Sequence, residues 1–146
     1  MFKHIVIATD GSPASEHAAQ LAVGLARLHG AKLTAVYVVD PYPYLGVGEI
    51  NPMGFQSYMS AAQDQAAQAH AYVERLSSQG DRPVPLEVRL VEEVGAASGI
   101  VQTAESLGAD LIVLGSHGRS GIARLMLGSV SNKVVAESKV PVLVTR

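Results

Sequence analysis

Four short stretches of the chain are apolar almost without interruption, and this feature limits the possible folds more than any other. They cover residues 5–8, 33–39, 111–114 and 140–144. Continuous apolar residues are typical of a strand that is buried on both faces, as strands of parallel sheets are. A fifth stretch, residues 86–91, alternates apolar and charged residues. We therefore predict four buried strands and one strand at the edge of the sheet.

The segment after the first strand has the pattern of an amphipathic helix. Apolar residues recur there at spacings of three and four, from Ala18 to Leu28. Ser12 is suited to cap the start of this helix, and Pro13 suits its first position because the missing N–H has no partner there. Gly30 follows the last periodic residue, as a left-handed terminating glycine does.

Three more segments of helical length separate the remaining strands. They cover about residues 56–79, residues 100–107 closed by Gly108, and residues 130–135. Strands and helices therefore alternate along the whole chain, which predicts an α/β fold with a parallel sheet, right-handed crossovers and helices on both faces. The length of 146 residues suits a single domain over 1–146.

One connection is unusually long for this pattern. Residues 41–54 contain three prolines and three glycines between the second strand and the second helix. Two interpretations stay open, since the segment suits either a surface insertion or a flap over a ligand site.

Composition excludes several classes of function. The chain has no cysteine, which excludes a disulfide scaffold, a thiol nucleophile and a thiolate metal site. A net charge of −2 argues against nucleic acid or an anionic membrane as a partner. No apolar stretch approaches the ~20 residues of a membrane span, and the first residues lack the pattern of a signal peptide. We therefore expect a cytoplasmic protein.

Chemistry is expected at the carboxyl ends of the strands, because doubly wound sheets bind ligands where the strand order reverses. Asp10 follows the first strand. Its carboxylate only accepts hydrogen bonds, so it suits a ribose hydroxyl or a hydrated Mg²⁺ ion. The alternative is that Asp10 forms an Asx turn or caps the first helix.

A glycine-rich turn follows the fourth strand. Three glycines fall within residues 115–121, and Gly128 and Ser129 stand where the last helix should begin, in the spacing G-x2-G-x9-G-S. Glycines permit positive φ and close approach to a ligand, and a helix N-terminus offers unpaired N–H groups and a positive dipole. Ser129 and Ser131 add hydroxyl groups. The pattern predicts a phosphate site, although it is neither a Walker A loop nor a dinucleotide fingerprint.

These motifs resemble the universal stress protein family. The similar segments are residues 5–12, 110–121, 127–131 and 140–144, in the order and spacing of that family. The intact G-x2-G-x9-G-S pattern is similar to its ATP-binding branch. The resemblance implies a Rossmann-like fold with strand order 3-2-1-4-5.

The resemblance also implies a set of binding residues. Asp10 would contact the ribose or a metal ion, Ala8 and Thr9 would line the adenine side, and Val38 would offer backbone groups to the adenine edge. The groups around ribose and phosphates would be Gly115, Ser116, His117, Gly118 and Arg119, with the triphosphate held by Gly128, Ser129, Val130 and Ser131.

The expected function is regulatory binding of ATP, with Mg²⁺, in a stress response. No catalytic residue is assigned. An alternative is a slow ATP hydrolase or nucleotide-transferring enzyme that uses a metal on Asp10 and perhaps His117, although loop histidines are more often bystanders. Arg119 suits either a phosphate contact or a solvated charge. A third interpretation is an interaction protein whose pocket holds AMP or nothing.

The last strand bears on assembly. If the stretch Val140–Thr145 lies at the sheet edge, its unpaired backbone groups invite pairing with a second copy. The resemblance likewise implies a homodimer through this strand. The alternative is that Pro141 and Arg146 merely blunt the edge.

Overall fold

A computed structural model describes residues 1–40, 52–92, 94–117 and 127–146. Strands and helices alternate through these ranges. The strands β1 to β5 are His4–Ala8, Lys32–Val38, Leu86–Val91, Leu111–Gly115 and Val142–Thr145. The helices α1 to α4 are Pro13–His29, Pro52–Ser78, Ala96–Ser106 and Ser129–Glu137.

The five strands form one parallel sheet in the order β3-β2-β1-β4-β5. This confirms the predicted fold class and strand order. Every residue of the central strand β1 is buried. Helices α1 and α2 pack on one face of the sheet and α3 and α4 on the other, so that two separate apolar layers enclose it.

The ends of α1 confirm the sequence prediction. Ser15 N–H donates to Ser12 Oγ at 3.3 Å, and Gly30 ends the helix with a φ of 66°. Helix α2 instead begins at Pro52, earlier than the predicted position near residue 56. Proline is acceptable there because the first helical turn needs no intrahelical N–H donors. The flap proposed for residues 41–54 lies largely outside the described residues.

Strand β3 lies at one edge of the sheet, as predicted, and β5 lies at the other, in agreement with the predicted strand order. The prediction that β5 is buried on both faces is wrong, because its edge position leaves Leu143 exposed. Strand β5 begins at Val142, two residues later than predicted. Pro141 has no N–H to donate to a strand ladder, although its carbonyl accepts from Ile112 N–H at 2.9 Å. No helix within the described ranges is long and apolar enough to span a lipid bilayer.

Two buried histidines belong to the packing between helices and sheet. His4 Nε2 lies 2.7 Å from Thr34 Oγ1, and the ring of His70 meets that of Tyr37 edge-on at 6.4 Å. Burial lowers the pKa of both histidines, and Lys32 adds to the effect at His4. Both rings are therefore uncharged parts of the interior near neutral pH.

Candidate functional site

A cavity of about 520 Å³ lies at the carboxyl ends of β1, β2 and β4. Its size is in the range of small-molecule sites. The cavity is at the point where the strand order reverses, since β2 lies on one side of β1 and β4 on the other. It extends over the ends of the strands to both faces of the sheet, because α2, α3 and α4 all contribute to its walls.

The turn after β1 fixes one wall. Ser12 N–H donates to Asp10 Oδ1 at 2.9 Å, which is an Asx turn, and Gly11 has a φ of 79°. Thr9 N–H donates to Val36 O at 3.0 Å. Asp10 also borders the cavity. The sequence left open whether Asp10 forms an Asx turn or faces a ligand, and in the structure it forms the turn at the cavity wall. The turn holds the carboxylate in one orientation.

The end of β2 turns backbone groups toward the cavity. Val39 N–H donates to Val91 O at 2.8 Å on the β3 side, whereas Val36 O accepts from Thr9 N–H on the β1 side. Backbone groups of successive strand residues point to opposite sides. The N–H and carbonyl of Val38 therefore face the β1 side, beyond the last β1–β2 pair at Ala8 and Val36.

Two glycines bring backbone segments together at the opposite wall. A Cβ atom on Gly115 would lie 3.0 Å from the backbone of Ala14, and one on Gly128 would lie 3.0 Å from Ser116 O. Gly128 N–H donates to Ser116 O at 2.7 Å, with a φ of −62° and a ψ of 162°. The positive φ that glycine permits is not used at Gly115. Both glycines instead permit a close approach between backbone segments.

The N-terminus of α4 points its donors at the cavity. Gly128 provides no side-chain cap, and the N–H groups of the first helical residues have no acceptor within the helix. Ser129, Val130 and Ser131 all border the cavity. Ser131 Oγ, however, donates to Gly115 O at 2.7 Å. The hydroxyl proton of Ser131 is thus used in a bond within the protein, so this residue would bind an anion through its backbone N–H.

Ser116 stands behind the cavity rather than in its wall. The side chain is buried, and its Oγ lies 2.9 Å from Nδ1 of His117, which does border the cavity. Ser116 N–H donates to Thr145 O at 2.7 Å. Its backbone and hydroxyl thus have hydrogen bonds to neighbouring residues, and the expected place of Ser116 around ribose and phosphates stays a prediction.

The structure brings most of the residues expected at a nucleotide site to this one cavity. Those that border it are Ala8, Thr9, Asp10, Val38, Gly115, His117, Gly128, Ser129, Val130 and Ser131. Gly118 and Arg119 lie outside the described residues.

Sequence reasoning missed a group of lining residues. Tyr37, Val39 and Asp40 lie next to or within two residues of the predicted Val38, so proximity to the strand end could have identified them. The remaining missed residues are on helices or within strands, where no sequence signal indicated a site: Ser15, Val36, Tyr58, Ala61, Ala62, Gln65, Ala96, Ile100 and Leu114.

Helix α2 is joined to the end of β2 at the cavity. Tyr58 Oη donates to Asp40 O at 2.8 Å, and Tyr37 Oη donates to Gln65 Oε1 at 3.3 Å. Burial and the nearby charge of Asp40 raise the pKa of Tyr58, so its hydroxyl remains a donor. These two bonds fix the position of the α2 wall.

The donor set at the cavity limits how a metal could be held. No group of three or more histidines or carboxylates is close enough to bind an ion within the described residues. Mg²⁺ commonly uses one or two carboxylates, several waters and the phosphates of its ligand. Asp10, with its carboxylate fixed by the Asx turn, fits that role when a nucleotide supplies the other oxygens.

Comparison with known proteins gives consistent matches over the whole chain. A sequence model of the universal stress protein family matches residues 1–146. A universal stress protein of Thermus aquaticus is 38% identical over the full length of both chains. The solved structure of universal stress protein UspA from Lactobacillus plantarum has a TM-score of 0.81 and 27% identity, covering 99% of this chain and 98% of the other. A universal stress protein in complex with cAMP has a TM-score of 0.69 and 26% identity, covering 99% and 97%.

Proposed function

Because this chain belongs to the universal stress protein family, we propose that it is a stress-response regulatory protein that binds ATP together with Mg²⁺. The proposed site is the cavity at the carboxyl ends of β1, β2 and β4. In this proposal residues 1–146 form a single nucleotide-binding domain that acts in the cytoplasm.

The observation that carries the proposal is the uncapped N-terminus of α4 in the same cavity as Asp10 and Val38. Three backbone N–H groups and the helix dipole attract an anion without requiring a lysine or arginine. The triphosphate therefore lies at α4, the adenine at the backbone of Val38, and the ribose or Mg²⁺ at Asp10. Gly118 and Arg119 retain their proposed place around the phosphates.

A solved relative supports an adenine nucleotide as the ligand. The neighbour with 26% identity was determined in complex with cAMP. Cyclic AMP shares the adenine, the ribose and one phosphate with ATP. The longer phosphate chain is proposed from the donors that this chain presents at α4, and the metal from the carboxylate of Asp10.

An Asp10→Asn variant tests the assignment of ATP and Mg²⁺. Asparagine retains the Oδ1 that accepts from Ser12 N–H, so the Asx turn remains while the charge is removed. We expect Mg²⁺ to strengthen ATP binding to the unaltered protein. In the variant, the increase in affinity caused by Mg²⁺ is expected to be roughly tenfold smaller, a difference of about 1.4 kcal/mol. Titration calorimetry with and without Mg²⁺ measures both. If the unaltered protein binds no ATP, neither with Mg²⁺ nor without it, the proposal is contradicted.

Hydrolysis of ATP is the second candidate function. It is favoured by the presence of a fixed carboxylate, Asp10, and an imidazole, His117, at the same cavity. The regulatory proposal expects ATP to be recovered intact from the calorimetry samples after long incubation. Formation of ADP that depends on Asp10 supports the hydrolase instead.

We also propose a homodimer formed through Val140–Thr145. Strand β5 is at the sheet edge, and Leu143 is 37% exposed on it. An apolar edge strand with unpaired backbone groups pairs readily with a second copy. We expect a dimer mass at micromolar concentration by sedimentation equilibrium, and a monomer for Leu143→Lys. Leu28→Lys, on the exposed side of α1, serves as the control that stays dimeric. A monomer mass for the unaltered protein contradicts this proposal.

A further inference from the structure

The cavity includes a wall that the phosphate and ribose contacts do not use. Helix α2 presents Tyr58, Ala61, Ala62 and Gln65 to the cavity. Spacings of three and four place these residues on one helical face. The two alanines leave room between α2 and the end of β2, so a ligand near the backbone of Val38 has space on this side.

Gln65 brings an amide to this wall, with hydrogen-bond donors and an acceptor side by side. The Tyr37 hydroxyl, on a side chain that is 6% exposed, donates to Gln65 Oε1 at 3.3 Å. This bond leaves the amide with two N–H donors and one further acceptor position. In the structure this bond directs Oε1 toward Tyr37 and leaves the NH₂ group on the opposite side of the amide. Turning the amide over would replace it with a bond from NH₂ to the Tyr37 oxygen.

We propose that Gln65 recognises the base of the bound nucleotide and selects adenine over guanine. The inference rests on the proposed binding of ATP in this cavity. Adenine presents a donor at its N6 amino group beside an acceptor at N7, and an amide side chain pairs with both atoms. Guanine presents two acceptors, O6 and N7, on the same edge. In the amide orientation observed, its O6 would lie against Gln65 Oε1, and two acceptors repel each other.

The assignment is compatible with the backbone contact at Val38. The N6 amino group carries two hydrogens, so one donates to the Val38 carbonyl and the other to Gln65 Oε1. A nucleotide without the N7 acceptor leaves the Gln65 N–H without a partner in the complex. Binding is then weaker, because this N–H has lost its hydrogen bond to water and gained none in return. Gln65 is thus a specificity residue for the base, distinct from the groups that hold the phosphates.

The experiment compares Gln65→Met with Gln68→Met in binding to three nucleotides. Methionine keeps the length of the side chain without its amide, and Gln68 is exposed on α2 and does not border the cavity. The probes are ATP, GTP and 7-deaza-ATP, in which a C–H replaces N7. We expect the unaltered protein and Gln68→Met to bind ATP roughly tenfold more tightly than 7-deaza-ATP. Gln65→Met is expected to bind these two equally and to lose most of the preference for ATP over GTP.

The outcomes separate this inference from the proposed function. If ATP binds and Gln65→Met keeps the ATP to 7-deaza-ATP ratio of the unaltered protein, the role of Gln65 is overturned while the ATP site stands. If the unaltered protein binds none of the three nucleotides, both are overturned. Thermal unfolding of each variant shows whether a loss of affinity follows from loss of folding, and the ratio between nucleotides does not depend on the fraction of folded protein.

Discussion

Gly128→Val is expected to weaken ATP binding at least about 100-fold, or about 2.7 kcal/mol. Even the first added atom, the Cβ, would lie 3.0 Å from Ser116 O, which accepts the Gly128 N–H at 2.7 Å. Relief of this contact requires the start of α4 to move away from Ser116. Since the N–H groups of that helical turn are the proposed phosphate donors, the movement takes them out of position. Calorimetric titration with ATP and Mg²⁺ measures the loss.

Gly95→Val is the matched control for this change. Gly95 precedes α3 as Gly128 precedes α4, with a similar φ of −64° and ψ of 151°, and a Cβ there meets no atom within 4 Å. We expect ATP affinity within about threefold of the unaltered protein, about 0.7 kcal/mol. Equal losses of ATP affinity in both variants would show that the effect comes from replacing a capping glycine. Unaltered ATP binding by Gly128→Val would contradict the proposed phosphate site at α4.

The second large effect is expected on folding, for Ile7→Ala. Ile7 is fully buried in the central strand, opposite Ala35 of β2 and Val113 of β4, in the layer covered by α1 and α2. Shortening the side chain removes buried methyl and methylene groups and leaves a cavity among neighbours that cannot all close in. We expect the free energy of unfolding to fall by about 2–5 kcal/mol.

Urea denaturation followed by circular dichroism measures this change. Leu28→Ala removes a side chain of similar size that is 77% exposed, and is expected to change stability by less than about 0.5 kcal/mol. A loss below about 1 kcal/mol for Ile7→Ala would contradict the assignment of β1 as the centre of the packing.

Strands β1, β2 and β4 were predictable because their burial is visible in the sequence as uninterrupted apolar residues, whereas the equally apolar β5 is only partly buried. The same reasoning identified β3 as an edge strand, since charged Glu87 and Arg89 alternate with apolar residues there. It failed at the start of α2, where Pro52 and Gly54 resemble a loop although a first helical turn accepts both. The wall formed by α2 was missed for a different reason. Which face of a helix borders a cavity depends on how the helix docks, and its own periodicity does not contain that information.

The glycine pattern shows a second limit of sequence reasoning. Its spacing indicated a binding site, and Gly115 and Gly128 do border the cavity. The sequence predicts a close approach to a ligand at Gly115 and the start of α4 at Gly128, whereas the structure shows that each also lies against another part of the backbone. The absence of a side chain is equally consistent with both uses, and only the positions of Ala14 and Ser116 distinguish them. Ser131 is similar, because its hydroxyl could be assigned to Gly115 O only from the structure.

The backbone of Ser116 has hydrogen bonds in two directions. Its carbonyl accepts from Gly128 at the start of α4, and its N–H donates to Thr145 O in β5, each at 2.7 Å. A single residue thus connects the proposed anion site to the proposed dimer strand. Energetic coupling between two equilibria is reciprocal, so a nucleotide that stabilised the dimer by some factor would itself be bound more tightly by the dimer by the same factor. With such coupling, a higher nucleotide concentration would lower the protein concentration at which the proposed dimer forms.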